Sequence, residues 1–254
     1  MSYQTLILEK GEIAKITLNR PEKLNALNQQ LKNELVSAIN EVKRDPNTRV
    51  VIFKGAGRAF CAGQDITETV SFKAEHAKEW IRGYDRLYNA IRSIDVPTIA
   101  SIKGYAVGAG LQIALLMDIR IAAEDAKIGM TEINVGIPCI TGSQCLLMAG
   151  MPFSKVVELI FTGDLIEAKE AEKLGIINKT VPADKLDEET EEMAKKIASK
   201  PPVAESINKD WFRKLTSKMI QEAIEFAAEA HTKAYASGEP QKAMEDFLKK
   251  RKRK

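Results

Sequence analysis

A run of glycines, an apolar helix and a loop carboxylate hold the residues of this sequence that are best suited to chemistry. Gly104, Gly108 and Gly110 mark a tight turn, and the small and aliphatic residues after it predict a buried helix in which only Gln112 is polar. A helix that begins at such a turn offers unpaired backbone N–H groups and the positive end of its dipole. We therefore expect the turn to hold an anion or a developing oxyanion, with Glu132 in a loop farther along.

Strands and helices alternate in the first part of the chain, and only helices are predicted near its end. The predicted strands cover residues 3–10, 12–19, 49–54, 98–102 and 176–181, and the predicted helices cover 28–42, 77–93, 109–117, 153–161, 167–174, 184–199, 203–216, 218–236 and 239–249. This alternation indicates an α/β fold, and a change in composition near residue 182 separates an α/β core, 1–182, from a helical region, 183–254. The polar segment 68–78 is interpreted as a mobile rim or lid.

Composition and charge narrow the class of protein. The chain has 254 residues, of which 44% are hydrophobic, so it can form a packed core. Its apolar runs are far shorter than the roughly 20 residues that span a bilayer, and its first residues lack a secretory signal pattern. We therefore expect a cytoplasmic protein that does not enter a membrane. The net charge of +3 does not predict a dedicated nucleic-acid surface, although the tail 249–254 is basic.

Motifs for several other kinds of chemistry are absent from the sequence. Phe60 stands where a dinucleotide-binding fingerprint that starts at Gly55 requires its third glycine, and neither a P-loop nor a G-x-S-x-G elbow occurs. Cys61, Cys139 and Cys145 form no C-x-x-C pair, which predicts neither a disulfide framework nor a zinc site. The two histidines lie in polar helical stretches, so we expect no histidine-based triad and no metal site.

Five segments resemble consecutive motifs of the enoyl-CoA hydratase/isomerase, or crotonase, superfamily, and they occur in that family's order. The segments are ITLNRPEKLNALN (16–28), RAFCAGQDI (58–66), KGYAVGAGLQIALLMDIRIAAE (103–124), TEINVGIP (131–138) and TGDLIEAKEAEKLGIINKTVP (162–182). The resemblance implies an α/β, crotonase-like spiral of ββα units with a helical C-terminal region, 183–254, that serves in oligomerisation. It also implies a homotrimer or a hexamer made of two trimers.

The resemblance further implies a site for an acyl-CoA thioester, whose enolate two backbone N–H groups stabilise. By their place in the motifs the donors are Gln64 and Ala109, and Gly63 and Gly108 allow the turns that present them. Because the backbone donates, the Gln64 side chain is not expected to take part. Lys23 is a candidate contact for phosphate. The residues implied to contact the CoA portion are Lys23, Leu24, Ala26, Ala62, Gly63, Gln64, Asp65, Ile66, Gly108 and Ala109.

Beyond the CoA moiety of the substrate, the resemblance implies no cofactor and no metal. The acyl group itself is expected to lie among large apolar and aromatic side chains. Candidate walls of this acyl pocket are Phe72, Trp80, Ile81, Tyr84, Ile140 and Leu146.

Gln112 and Glu132 together determine which reaction is predicted. Hydratases of the family carry glutamates at both of these positions, and a carboxylate pair is a natural device for adding water. Glutamine can orient water but cannot take its proton at neutral pH. One carboxylate is enough to move a double bond, by removing a proton from Cα of a 3-enoyl thioester and returning it at Cγ. We therefore predict an enoyl-CoA isomerase with Glu132 as its acid/base.

Other functions stay open at the level of sequence. Hydration of an enoyl-CoA or dienoyl-CoA is the alternative, and the hydrolases, decarboxylases and ring-modifying enzymes of the superfamily share the same oxyanion turns. A non-catalytic or RNA-binding family member is a further alternative because of the tail 249–254, although nucleic-acid binding is not expected as the main role.

Overall fold

Two β-sheets lie among helices in the part of the chain that the computed structural model describes, residues 3–252. The strands are β1 (Leu6–Glu9), β2 (Ile13–Leu18), β3 (Val50–Gly55), β4 (Thr98–Ile102), β5 (Tyr105–Val107), β6 (Ile119–Ala123), β7 (Lys127–Gly129), β8 (Ile166–Glu167) and β9 (Lys179–Val181). The main sheet has the order β1-β2-β3-β4-β6-β9, and the second sheet has the order β5-β7-β8. Only β1 and β2 pair antiparallel in the main sheet. The predicted α/β class is confirmed.

Helices connect the strands and dominate the chain after β9. They are α1 (Gln29–Lys43), α2 (Ile66–Thr69), α3 (Ala74–Arg92), α4 (Ala109–Leu115), α5 (Ile140–Met148), α6 (Phe153–Thr162), α7 (Ala168–Lys173), α8 (Leu186–Ala198), α9 (Pro202–Ser237) and α10 (Glu239–Lys252). Short 3-10 helices cover Pro21–Lys23, Glu132–Val135 and Ala183–Lys185. Asn28 caps α1, since its side chain accepts a hydrogen bond of 2.9 Å from the Leu31 N–H.

The main sheet is buried on both faces, which explains the unbroken apolar run of β3. Val51 and Phe53 belong to the large core that also contains the inner faces of α1 and α3. Val50 and Ile52 point to the opposite face and pack in a second cluster with Leu186 and other residues of α8. Parallel strands covered on both sides characteristically lose the alternation of apolar and polar residues.

Several predicted elements differ from the observed ones. The helices predicted at 203–216 and 218–236 form one continuous helix, α9, because Ser217 donates its hydroxyl to the Arg213 carbonyl oxygen and does not break the helix. The strand predicted at 176–181 is only the three residues of β9. The polar segment 68–78 contains the end of α2 and the start of α3, and it is therefore helical over most of its length.

Helix α9 carries a long apolar stripe on its outer face. The exposed apolar residues of α9 are Val203, Ile207, Trp211, Phe212, Leu215, Met219 and Phe226, with exposed fractions between 41% and 70%. A contiguous apolar surface of this kind usually marks an interaction site. Among residues 3–252, no helix combines the length and apolar character needed to cross a membrane.

We expect the α9 stripe to be covered by other copies of the chain, with the trimeric assembly implied by the family resemblance. Light scattering at micromolar concentration should give a mass that is a multiple of three chains. Ile207→Asp places a charge in the stripe and should lower that mass, whereas Lys196→Glu, on the exposed surface of α8, should not. A wild-type protein that is monomeric under these conditions would contradict the expectation.

Candidate active site

A cavity of about 510 Å³ lies beside the turn at Gly108. It is lined by every residue that the sequence predicts for contact with CoA or for catalysis. These are Lys23, Leu24, Ala26, Ala62, Gly63, Gln64, Asp65, Ile66, Gly108, Ala109, Gln112 and Glu132. The structure thus brings together segments that are more than a hundred positions apart in the chain. The individual roles of these residues stay predictions.

Two glycines let the turns at Gln64 and Ala109 approach each other closely. Gly63 has a φ of +92°, and a Cβ atom there would lie 2.8 Å from the Val107 carbonyl oxygen and 3.5 Å from the Ala109 nitrogen. Gly108 has a φ of +53° and directly precedes Ala109, the first residue of α4. Any other residue at position 63 or 108 would strain the backbone, and at position 63 it would also push the turns apart.

The backbone N–H groups of Gln64 and Ala109 have no hydrogen-bond acceptor within residues 3–252. Leu27 pairs with the segment Gly63–Asp65 on the side away from the Gln64 N–H. The Leu27 N–H donates to the Gly63 oxygen (2.7 Å), and the Leu27 oxygen accepts from the Asp65 N–H (3.0 Å). The Gln64 N–H therefore points away from Leu27. Ala109 stands at a helix start, where an N–H has no intrahelical acceptor. Both groups are free to bind a ligand oxygen.

The Gln64 side chain also has a role, which the sequence does not predict. Its Oε1 accepts hydrogen bonds from Trp80 Nε1 (3.1 Å) and from the Tyr84 hydroxyl (2.6 Å), and its Nε2 donates to the Asp65 oxygen (3.0 Å). The first two bonds tie the turn to α3. Truncating the Gln64 side chain would leave the Trp80 N–H and the Tyr84 hydroxyl unpaired in the cavity wall. The Gln64 amide therefore helps to hold the backbone N–H of Gln64 in place.

Glu132 lies against Gly108 and is held by Gln112. The Gln112 Nε2 donates to Glu132 Oε1 at 2.7 Å, and a Cβ atom on Gly108 would lie 3.3 Å from the same oxygen. The second carboxylate oxygen, Oε2, is inaccessible to water and has no hydrogen-bond partner in the described chain. The carboxylate therefore lies next to the Ala109 turn with one oxygen bound by Gln112 and the other buried without a partner.

Burial raises the pKa of Glu132 above its ordinary value. The hydrogen bond from the Gln112 amide, together with the nearby backbone of Glu132 and the Cys139 thiol, opposes this shift without cancelling it. A carboxylate with a raised pKa is a better proton acceptor near neutral pH than an exposed one. The site thus combines two free backbone donors with one carboxylate suited to proton transfer.

Comparison with known proteins agrees with this arrangement. The profile of the family described as enoyl-CoA hydratase/isomerase matches residues 9–254. A short-chain-enoyl-CoA hydratase of Clostridium acetobutylicum is 35% identical over 99% of this chain and 97% of its own length. A probable enoyl-CoA hydratase of Mycobacterium tuberculosis is 34% identical with the same coverage of both chains. The chain belongs to the enoyl-CoA hydratase/isomerase family.

The family's fold extends over nearly the whole chain. The crystal structure of an enoyl-CoA hydratase/isomerase from Mycobacterium paratuberculosis superimposes with a TM-score of 0.87 at 26% identity, covering 95% of this chain and 98% of that one. The crotonase-like fold inferred from five sequence segments is therefore confirmed. The two relatives above are named hydratases, and neither name specifies isomerisation.

The loop that the family resemblance assigns to CoA is held by a buried asparagine. Leu24 and Asn25 both have positive φ, 51° and 57°, which is rare for leucine. The Asn25 side chain accepts from the Arg20 N–H at 2.9 Å and donates to two carbonyl oxygens in segment 56–59. The Ala62 N–H donates to the Leu24 oxygen at 3.0 Å. These bonds fix the loop against the segment that ends at Gln64.

Helix α10 lines the cavity, although the sequence gives no reason to expect it there. Met244, Phe247 and Leu248 all contribute to the wall. Their spacing of three and four residues indicates one helix face and is the signal that could have identified them. Phe247, which belongs to the region 183–254 that the family resemblance assigns to oligomerisation, thus also borders the cavity of its own chain. The remaining residues that sequence reasoning missed include Arg58, Tyr88, Thr141, Ile224 and His231.

His231 is buried in the wall as a neutral side chain. Its Nδ1 donates to the Ala227 carbonyl oxygen at 2.6 Å, and burial lowers the pKa of His231 to about 4. Its imidazole packs edge-on against Trp80. Of the suggested pocket walls, Trp80, Ile81 and Tyr84 line the cavity, and the others do not. The suggested residues outside the cavity are Phe72, Ile140 and Leu146.

Ala109→Pro tests the backbone donor on α4. Proline is tolerated at the first position of a helix but has no N–H, so the variant should fold and lose about 10²–10³-fold in kcat. Ala109→Ser keeps the N–H and is the matched control. Steady-state kinetics and circular dichroism would measure both properties. A folded proline variant with wild-type kcat would show that the Ala109 N–H is not a donor to the oxyanion.

Glu132→Gln should stabilise the fold at neutral pH. Since the folded-state pKa of Glu132 lies above its unfolded value, ionisation of this group opposes folding, and the penalty grows as pH rises through these pKa values. The variant should unfold at a higher temperature than wild type at pH 7–8, and the difference should vanish below about pH 4. The exposed Glu22→Gln is the control. An equal or lower melting temperature for Glu132→Gln at pH 7–8 would contradict a costly buried carboxylate.

Proposed function

We propose that this family member moves the double bond of a 3-enoyl-CoA thioester to the 2-position, with Glu132 as the only acid/base. One observation carries the proposal: Gln112 donates its amide to Glu132, while its carbonyl oxygen already accepts hydrogen bonds from two hydroxyl groups. A glutamine held in this way offers neither a proton-accepting group nor a free acceptor for water. Proton transfer then depends on Glu132 alone.

The reaction follows from the arrangement of donors and base. The thioester oxygen would accept hydrogen bonds from the backbone N–H groups of Gln64 and Ala109, which favour the enolate over the neutral thioester. Glu132 Oε2 would remove a proton from Cα, and the electron pair would delocalise into the thioester and the adjacent double bond. The protonated carboxyl group would then return the proton to Cγ. Nothing is consumed or released, as an isomerisation requires.

Hydration of a 2-enoyl-CoA is the second candidate, and the names of the relatives support it more directly than they support isomerisation. Glu132 would deprotonate a water molecule as its oxygen adds to Cβ, and the same carboxyl group would protonate Cα. This reaction uses the same enolate and the same backbone donors. It differs in needing a water molecule that Glu132 alone has to orient.

The acyl-CoA thioester is the proposed partner in both reactions. Lys23 and Arg58 are exposed cations at the mouth of the cavity and are suited to the phosphates of CoA. Leu24, Ala26 and Ala62 supply backbone and apolar surface for the pantetheine arm.

Matched 2-enoyl-CoA and 3-enoyl-CoA esters of equal chain length, including cyclic ones, test the proposal. Wild type should convert the 3-enoyl esters, and Glu132→Gln should lose about 10²–10⁴-fold in kcat while keeping its affinity for CoA esters. Gln112→Glu restores a carboxylate pair and should raise hydration relative to isomerisation. Fast hydration of crotonyl-CoA by wild type, without isomerase activity, would reject the first candidate in favour of the second.

A further inference from the structure

Two hydroxyl groups fix the amide of Gln112. The Tyr88 hydroxyl donates to Gln112 Oε1 at 2.5 Å, and Thr141 Oγ1 donates to the same oxygen at 2.8 Å. Tyr88 lies on α3, Thr141 on α5 and Gln112 on α4, so three helices meet at this amide. Gly142 brings α5 close enough, since a Cβ atom there would lie 3.1 Å from Gln112 Nε2.

The orientation of the amide depends on the charge of Glu132. A hydroxyl group can donate or accept, so Tyr88 and Thr141 could bind either end of the amide. An ionised Glu132 accepts only, and a reversed amide would place its carbonyl oxygen against the carboxylate. Both lone pairs of Gln112 Oε1 are therefore used by hydroxyl groups as long as Glu132 is charged.

We propose that Tyr88 and Thr141 are positioning residues that hold the Gln112 side chain in place, so that its amide stays an N–H donor to Oε1 of the ionised Glu132. As a consequence, Oε2 is the oxygen that exchanges protons with the substrate, because it is the carboxylate oxygen without a partner. The Gln112 carbonyl oxygen is also kept from accepting a hydrogen bond from water, which disfavours hydration. This last consequence rests on the proposed function, whereas the hold on the amide does not.

Among residues 3–252, no charged side chain contributes to the shift in the pKa of Glu132. The titratable groups that face Glu132 are Tyr84 and Tyr88 on α3 and the Cys139 thiol beside α5. Burial raises the pKa of all three well above its ordinary value, so each is neutral at the pH of the reaction. The titration of Glu132 therefore reports mainly its burial and its hydrogen bonds.

The test is the protonation midpoint of Glu132 in the substrate-free enzyme. Infrared difference spectra of protein labelled with ¹³C in its glutamate carboxyl groups give this midpoint, and Glu132→Gln assigns the band. In the double variant Tyr88→Phe/Thr141→Val, the Gln112 side chain loses the two partners that fix its position, and its hydrogen bond to the carboxylate becomes weaker. The midpoint should rise by about one pH unit, and each single variant should give a smaller rise.

Two controls distinguish the loss of the hydrogen bonds to the Gln112 amide from a general disturbance of the structure. Thr141→Ser keeps the hydroxyl and should keep the wild-type midpoint. Tyr84→Phe removes a neighbouring hydroxyl of α3 that binds Gln64 instead, and it should also leave the midpoint unchanged. If the double variant does not fold, the single variants carry the same comparison.

The outcomes distinguish this inference from the proposed function. An unchanged midpoint in folded Tyr88→Phe and Thr141→Val variants would overturn the inference. A raised midpoint in an enzyme that proves to be a hydratase would support the hold on Gln112 and reject isomerisation. A raised midpoint together with a larger share of hydration in the double variant is the result we expect.

Discussion

The incomplete solvation of one carboxylate is the constraint on which the site depends. Burial removes Oε2 of Glu132 from water, and the side-chain amide of Gln112 replaces only part of the hydrogen bonding that the carboxylate loses. Glu132 Oε2 keeps no partner in the described protein. An ionised group in this state is costly for the fold but ready to take a proton, which is a common compromise at active sites.

Close backbone contacts supply the rigidity that such a group requires. Segment 58–66 runs against the glycine turn, and a Cβ atom on Gly110 would lie 2.3 Å from the Cys61 carbonyl oxygen. The same atom on Gly104 would lie 2.0 Å from the Arg58 oxygen. Since neither segment can shift without breaking these contacts, the free N–H groups stay aligned before any ligand arrives. Donors fixed in advance need no reorganisation when charge develops.

Local signals in the sequence were sufficient to predict the helices and strands that carry the site. The start of α1 after Asn28, the strand Thr98–Ile102 and the start of α4 at Ala109 are all observed where the sequence predicts them. Each depends on residues close together in the chain, such as a capping side chain or a glycine before an apolar run. The order of the five motifs then indicated the family, and the family resemblance indicated the residues that line one cavity.

Features that depend on distant contacts could not be predicted in this way. The second sheet consists of strands of two or three residues, too short to produce a pattern. Tyr88 and Thr141 look like ordinary core residues until the packing of α3, α4 and α5 brings both hydroxyl groups to Gln112. The role of α10 in the cavity wall likewise arises from the way the chain folds back after α9.

The central claim is that one carboxylate removes a proton and returns it. A single base would lie on one face of the substrate, so it would remove the Cα proton and deliver the Cγ proton on the same face. A 3-enoyl thioester carrying deuterium stereospecifically at Cα, converted in light and heavy water, would reveal both faces by NMR of the product. The account predicts transfer on one face, even where the proton exchanges with solvent. Transfer on opposite faces would require a second acid/base group and would contradict it.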